Sequence, residues 1–279
     1  MALIIPEVFS DTLNTELGKR IVISKLATDY SDEIDITTCG DVVHFPTFDR
    51  ITDAQVVADG GTVDFEEIDK MTDNTAEVKQ HAKGITIRDK SAVQVKGAMK
   101  AELAEQLSDV MALSLDKALS DDIIANAAYK TELNALGEFN VNALNKALEV
   151  FGDQQQISSF AGIVINSKLY SSMVGWSEFV SVLMTYNNTP NGIVQDNGIV
   201  GYYRAIPVYL SDCGTEDATK IYCYLIKKKA LGVVWQKTPT IEEHRNLSKI
   251  ATDILASDLV AAKMLRTDGV SVVSVKKTA

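Results

Sequence analysis

The chain has 279 residues, of which 46% are hydrophobic and 23% charged, and this composition excludes a disordered or fibrous protein. Its 38 acidic residues outnumber its 27 basic residues and give a formal net charge of −11, which argues against a generic nucleic-acid binder. Its longest apolar runs, such as Tyr222–Ile226, are far shorter than the roughly 20 residues that cross a membrane, so no membrane partner is expected.

Residues 1–90 combine short apolar segments with a long polar loop. Two extended segments are predicted at Asp41–Phe48 and at about Thr75–Lys90. Residues 50–73, between them, are rich in Asp, Gly and Thr and contain few large apolar side chains, so they have little capacity to bury themselves. A loop of this length is usually functional or bound to something else. The pattern predicts a two-stranded excursion that projects from the body of the protein.

The strongest local pattern follows residue 91. Ser91 and Gln94 fit a capping box, and apolar residues then recur every three or four positions from Val95 to Ala118. No proline interrupts the chain as far as Tyr129, so the pattern predicts a helix of about 35 residues, roughly 50 Å long. The alternative is a kinked pair of helices that breaks near Ser120–Asp121, where the serine could cap a second start.

Residues 138–226 have the pattern of an α/β module. Asn140 can cap a helix that ends near Gly152, a buried strand follows at Ala161–Ile165, and Asn166 or Ser167 can cap the next helix. Residues 250–265 are compatible with either a strand or a helix. Further strands are predicted at Ile206–Leu210, Ile221–Ile226, Ala230–Gln236, Thr240–Arg245 and Val270–Val275.

Motifs for catalysis or cofactor binding are missing from the sequence. It contains no phosphate-binding loop, no dinucleotide fingerprint, no HExxH, no GxSxG and no CxxC, and its three histidines are isolated. Glu242 and Glu243 would point to opposite faces of a strand and could not act on one substrate. The sequence therefore predicts a protein that is not an enzyme, without catalytic, cofactor-binding or metal-binding residues. The cysteines form no disulfide framework: Cys39, Cys213 and Cys223.

The order of these elements, together with several local phrases, resembles the major capsid protein of tailed bacteriophages, which has the Hong Kong 97-type fold. The opening residues resemble the family's N-terminal arm, residues 39–90 its extended loop, and the helix after Ser91 its spine helix. Asn197–Asp212 resembles the segment that leads into an apical-domain strand, and Arg266–Val275 resembles the closing strand. The likeness covers nearly the whole chain and depends on the order of the phrases.

The resemblance implies an α+β Hong Kong 97-type capsid fold with four divisions. These are an N-terminal arm at 1–38, an extended β-hairpin loop with flanking strands at 39–90, a peripheral domain with the spine helix at 91–137 and 227–279, and an α/β apical domain at 138–226. No scaffolding segment precedes the arm in this sequence, so the scaffold is expected either to be removed or to be a separate protein.

The resemblance also implies a structural role. Copies of the chain would form hexamers and pentamers that close into an icosahedral head around double-stranded DNA, without sequence-specific binding. The protein would be assembled in the host bacterial cytoplasm, would reside in the virion, and would have portal, scaffolding and head-completion proteins as partners. Candidate subunit-interface residues are Arg50, Asp53, Asp59, Asp64, Glu66, Glu67, Lys70, Asn188, Asn191, Glu242 and Arg245.

Two other functions remain open at this point. The same fold could form the shell of an encapsulin-like nanocompartment filled with protein. An oligomeric α/β enzyme would use residues 138–226 as its catalytic core, since α/β modules support many activities.

Overall fold

A computed structural model describes most of the chain. It covers Leu17 and residues 20–31, 41–48, 71–90, 99–153, 155–181 and 198–277, together with Ala54, Val56, Val57, Thr62, Val63 and Phe65 in the long loop.

The spine helix, α1, runs without a break from Met99 to Asn126. Its inner face buries an apolar residue at every fourth position, because such positions lie on one side of a helix: Leu107, Met111, Leu115, Leu119 and Ile123. The alternative with a break near Ser120 is wrong, since the Ser120 hydroxyl is buried and hydrogen-bonded instead of capping a second helix. The predicted capping box at Ser91–Gln94 lies outside the described residues.

A two-stranded ribbon forms the base of the predicted excursion. Strands β2 (Val42–Phe48) and β3 (Met71–Glu77) pair in antiparallel register. The predicted second segment, Thr75–Lys90, is wrong as a single strand, because it divides at Val78 and its second part, β4 (Lys79–Arg88), joins another sheet. The alternation of apolar and polar residues identifies an extended segment, but it does not identify the strand with which that segment pairs.

Four strands form a second sheet within the described residues, in the order β1-β11-β12-β4; β1 comes from the predicted arm, β4 from the predicted extended loop, and β11 and β12 from the predicted peripheral domain. Strand β1 is Thr28–Asp29, and β11 (Leu231–Asn246) and β12 (Ala251–Met264) form a long hairpin. The two predicted strands at 230–236 and 240–245 are therefore one strand, with register shifts between Trp235 and Thr240. Pro239 lies inside this irregular stretch, and a proline cannot donate a ladder hydrogen bond. The ambiguous segment 250–265 is a strand.

The larger sheet has seven strands within the described residues, in the order β5-β13-β10-β6-β9-β8-β7. The predicted caps are confirmed: Asn140 accepts a hydrogen bond from the Ala143 N–H, and Asn166 accepts one from the Lys168 N–H, both at 3.0 Å. The elements are β5 (Tyr129–Leu133), α2 (Val141–Glu149), β6 (Phe160–Ile165), α3 (Ser167–Met173), β7 (Phe179–Ser181), β8 (Ile199–Tyr203), β9 (Ile206–Leu210), β10 (Lys220–Lys227) and β13 (Val270–Lys276).

This sheet crosses the predicted domain boundaries at two places. Strands β5 and β13 fall in the segments predicted as peripheral domain, yet they pair with each other, and β13 also pairs with β10 of the apical module. The division of the chain into four domains remains a prediction.

Helix α1 connects the two larger sheets. Its Leu119 and Ile123 belong to one buried cluster with Tyr224 of β10 and with Val233 and Val260 of the long hairpin. Helices α2 and α3 pack on the opposite face of the seven-stranded sheet. The spine helix is thus a core element of both sheets, whereas the ribbon packs against the long hairpin, with Val43 and Phe45 beside Val234 and Ala261.

Candidate assembly surfaces

The long loop carries exposed apolar side chains. Val56 is fully exposed, Phe65 is 93% exposed, and Val57 and Val63 are also exposed. The interface residues predicted in this loop are all charged, and these four apolar residues were not among them. The sequence does indicate them, because three valines and one phenylalanine occur within ten residues of a segment that is otherwise rich in Asp, Gly and Glu.

Two predicted interface residues lie on β11. The guanidinium of Arg245 donates two hydrogen bonds of 2.6 Å to the Asp89 carboxylate and holds the pKa of that carboxyl below its usual value. Glu242 lies 3.6 Å from the ammonium group of Lys237. Both residues reach a partner within the chain, and their place in an interface remains a prediction.

The other nine predicted interface residues lie outside the described part of the chain, and their role also remains a prediction: Arg50, Asp53, Asp59, Asp64, Glu66, Glu67, Lys70, Asn188 and Asn191.

The turn between β11 and β12 is a second exposed apolar surface, which sequence analysis did not identify. Leu247 is 80% exposed and Ile250 is 65% exposed. The Asn246 side-chain oxygen accepts hydrogen bonds from the Ser248 hydroxyl at 2.8 Å and from the Lys249 N–H at 3.3 Å. The turn is therefore held in one shape while its apolar side chains point away from the fold.

The N-terminal segment is attached to the middle of the spine helix. The buried carboxylate of Asp116 accepts hydrogen bonds of 2.9 Å from the backbone N–H groups of Val22 and Ser24, and another from the Ser24 hydroxyl. One helical turn further on, Ser120 donates to the Gly214 carbonyl, which also accepts a 2.6 Å hydrogen bond from the Tyr224 hydroxyl. The spine helix thereby fixes both the arm and the apical module.

Burial shifts the pKa of three ionisable groups between residues 138 and 226. Burial raises the pKa of the Cys223 thiol to about 12 and that of the Cys213 thiol to about 11. Burial also raises the pKa of Tyr203, whose hydroxyl lies 2.6 Å from Asn145 Oδ1 and 2.9 Å from Glu178 Oε2. All three groups are therefore harder to ionise than the same side chains in water.

One cavity of about 520 Å³ lies outside the apical module, between the ribbon, β4, α1 and β12. Its charged lining includes both signs: Glu77, Lys79, Asp121 and Lys263. In the described part of the chain, no group of three or more His, Cys, Asp or Glu side chains is placed to hold a metal ion. Among the same residues, no helix is both long and apolar enough to cross a lipid bilayer.

Comparison with known proteins relates the chain to viral shells. No family model matches it. A curated relative, the major capsid protein of Staphylococcus phage phiMR11, is 29% identical over 154 residues, which are 54% of this chain and 53% of the relative. The matched part thus spans about half the length of that relative.

Two solved structures match over nearly the whole chain. The capsid structure of the cyanophage P-SCSP1u has a TM-score of 0.66 at 12% identity and covers 93% of this chain and 89% of its own. The virus-like particle from Pyrococcus furiosus has a TM-score of 0.60 at 14% identity and covers 96% of this chain and 98% of its own. Together these comparisons confirm the predicted α+β Hong Kong 97-type capsid fold and, with it, the chain's resemblance to the major capsid proteins of tailed bacteriophages.

Proposed function

We propose that this chain is the major capsid protein of a tailed bacteriophage. Copies assemble into hexamers and pentamers, and these close into an icosahedral head that contains double-stranded DNA. The observation that carries the proposal is the capsid fold, which extends over more than nine tenths of the chain in the cyanophage comparison. The half-length match to a phage major capsid protein supports it independently.

The exposed apolar side chains favour a protein that assembles with other copies over one that stays monomeric. Phe65 and Val56 in the loop, and Leu247 in the hairpin turn, are large apolar side chains that the isolated chain leaves in water. Contacts with other copies would bury them, at about 25 cal/mol for each Å² removed from water. A shell repeats every such contact many times, so small contributions add up.

The charge of the chain suits a container for DNA. A net charge of −11 repels phosphate groups, so the wall leaves packaged DNA free to move. The protein would then be part of the virion after assembly in the host cytoplasm, with portal, scaffolding and head-completion proteins as its partners. The predicted acidic loop residues would pair with basic groups of a neighbouring copy, and each exposed pair would contribute about 0–1 kcal/mol.

A protein-filled nanocompartment is the second candidate. The virus-like particle from Pyrococcus furiosus, which matches 96% of this chain, has the same fold in a particle that is not described as a phage head. The fold does not separate the two containers, since both are shells. What the shell contains, DNA or protein, distinguishes a phage head from a nanocompartment. The oligomeric enzyme is less well supported, because the relative and the solved structures that match the chain are described as capsids or particles.

The test is electron microscopy of the purified protein after size-exclusion chromatography, expressed with and without its neighbouring genes. Closed shells, or rings of five and six subunits, are expected. Nuclease-protected DNA inside the shells would support the phage head, and a packaged protein would support the nanocompartment. A uniform small oligomer without rings would contradict both.

A further inference from the structure

Basic side chains gather at one corner of the fold, where two turns meet. Lys228 and Lys229 are exposed in the turn between β10 and β11, and Arg266 is exposed in the connection between β12 and β13. The carbonyl of Ala230 accepts hydrogen bonds from the N–H groups of Leu265, at 2.8 Å, and of Arg266, at 3.2 Å, so the two turns lie side by side. We name these three exposed cations the basic corner.

We propose that the basic corner is a contact for the phosphate backbone of double-stranded nucleic acid. The inference rests on the proposed function, because a head that contains DNA supplies this polyanion, and it goes further by assigning the contact to particular residues.

The three charges of the basic corner are available to a partner. Among the described residues, none forms an ion pair with Lys228, Lys229 or Arg266. Lys227 differs, since its ammonium group lies 4.4 Å from the centre of the Phe151 ring. Burial lowers the pKa of Lys227, and the nearby Asp268 carboxylate opposes this shift. The acidic residue of the second turn is thus matched to Lys227, and the other three cations remain.

The positive excess persists when neighbouring segments are included. The two turns contain four basic residues and one acidic residue, and the adjoining segments add three basic and four acidic residues: Lys25, Lys130, Lys263, Asp29, Asp122, Glu149 and Asp153. Seven basic residues therefore stand against five acidic ones. At physiological ionic strength, exposed charges more than about 8 Å apart are largely screened. The local excess consequently decides what binds here, in spite of the net charge of −11.

The composition of the two turns favours nucleic acid over a protein partner. Both turns are fully described, and neither carries an exposed large apolar or aromatic side chain. Protein interfaces are depleted in lysine and have apolar and aromatic side chains at their centre. Phosphate oxygens, by contrast, are contacted mainly by Lys and Arg side chains. The turns also lack the aromatic rings on which the bases of a single strand would stack, which favours a duplex.

Binding is expected to be weak, independent of base sequence and steeply dependent on salt. Each phosphate neutralised on a DNA duplex contributes about −0.9 to the slope of log K against log salt concentration, so three contacts predict a slope of about −2.7. Contacts of this kind have dissociation constants of about 10⁻⁴ to 10⁻⁶ M. Such a contact holds the duplex only at the basic corner and leaves it mobile over the acidic remainder of the wall.

The test measures binding of a short labelled DNA duplex by fluorescence anisotropy, with unassembled protein at a series of NaCl concentrations. Lys228→Gln/Lys229→Gln/Arg266→Gln should bind about tenfold more weakly or worse, and its salt slope should fall towards zero. The urea midpoint of unfolding should not change, because all three side chains are exposed. Lys228→Arg/Lys229→Arg/Arg266→Lys keeps the charges and should bind as the wild type does.

Lys83→Gln/Arg88→Gln/Lys146→Gln is the matched control. It removes the same total charge from three exposed positions outside the two turns. Its salt slope should remain that of the wild type, because the phosphate contacts at the basic corner are intact.

A polyglutamate chain of equal total charge distinguishes nucleic acid from an acidic protein. Its charges lie about 3.3–3.6 Å apart in an extended chain, against about 1.7 Å along duplex DNA, so it should bind several-fold more weakly. Three results would overturn the contact and leave the proposed function standing: polyglutamate that binds as tightly as DNA, a wild type that does not bind DNA at low salt, or equal effects of the two glutamine variants. A wild type that binds DNA and forms no shells or rings would refute the proposed function alone.

Discussion

Asp116, in the middle of the spine helix, accepts hydrogen bonds from both the backbone N–H and the hydroxyl of Ser24, which lies 92 residues earlier in the chain. With the Val22 N–H, these bonds saturate a carboxylate that is only 2% exposed. A charged group buried this deeply is tolerated because it is hydrogen-bonded. The carboxylate therefore fixes the start of the chain to the element around which the fold is built.

Replacement of Asp116 by alanine should destabilise the protein. The N–H groups of Val22 and Ser24 would lose their acceptor, and each buried donor left unsatisfied costs about 1–3 kcal/mol. We expect the free energy of unfolding, measured by urea denaturation, to fall by an amount in this range or above it. Asp121→Ala is the control, because Asp121 lies on the exposed side of the same helix. Equal losses for the two variants would contradict the anchoring role.

Phe65 should matter for assembly and not for folding. Its side chain is 93% exposed, so Phe65→Ser should change the free energy of unfolding by no more than about 0.5 kcal/mol. If a neighbouring copy buries the ring, the same change removes about 1.5–3 kcal/mol from each contact and raises the assembly concentration by about tenfold or more.

Light scattering against protein concentration measures this assembly threshold. Phe65→Tyr is the matched control, since it keeps the ring and should assemble almost as the wild type does. A Phe65→Ser variant with an unchanged threshold would show that the loop's apolar residues make no contact in the assembled protein.

Elements with a regular local period could be predicted from the sequence, whereas their partners could not. The apolar residues that recur every three or four positions after Ser91 predicted a long helix, and Asn140 predicted the start of α2. Strand β12 was left ambiguous because apolar residues occur at both even and odd positions, which removes the alternation that identifies a half-buried strand.

Long-range contacts are the part that the sequence could not supply. The pairing of β4 with β12 joins segments more than 150 residues apart, and no local pattern specifies it. Asp116 follows the buried Leu115 directly, and its acceptor role depends on a distant backbone segment. The exposed apolar side chains of the β11–β12 turn and of the long loop were not predicted for a related reason. Whether an apolar side chain is exposed depends on the folded chain.

The carboxylate of Glu216 should make stability depend on acid pH. Hydrogen bonds from Lys168 and then Lys277 lower its pKa to about 2. A carboxyl whose folded-state pKa is lowered stabilises the fold above its ordinary pKa of about 4.3 and loses that contribution as the pH falls towards 2. The stability difference between the wild type and Glu216→Gln should therefore be constant above about pH 5 and shrink towards zero at pH 2.

Urea denaturation at a series of pH values checks this dependence. Lys277→Gln should flatten it, because it removes one of the two donors. Lys276→Gln is the neighbouring control, because this substitution removes the same charge one position earlier in the chain. The ammonium group of Lys276 contacts Asn134 at 3.0 Å. An identical pH profile for the two lysine variants would contradict the assignment.

The contact of Gly214 with the spine helix should tolerate no side chain. Its φ is +67°, and an added Cβ would lie 2.4 Å from the Cβ of Ser120. Gly214→Ala should therefore combine the left-handed backbone penalty of about 1–2 kcal/mol with an overpacking penalty of about 1–3 kcal/mol in the free energy of unfolding. Gly152→Ala separates the two effects, since Gly152 has φ +54° and nothing within 4 Å of its added Cβ.

A double-mutant cycle identifies the clashing partner. Ser120→Gly removes the opposing Cβ, so in the Gly214→Ala background it should cost less than it does in the wild type. On its own it carries a penalty of about 1 kcal/mol for glycine within a helix and about 1 kcal/mol for the lost hydrogen bond to the Gly214 carbonyl. The same cost in both backgrounds, together with a Gly214→Ala loss equal to that of Gly152→Ala, would show that the strain is confined to the backbone of the turn. A smaller cost in the Gly214→Ala background would show that close packing at this point sets the distance between the apical module and the spine helix.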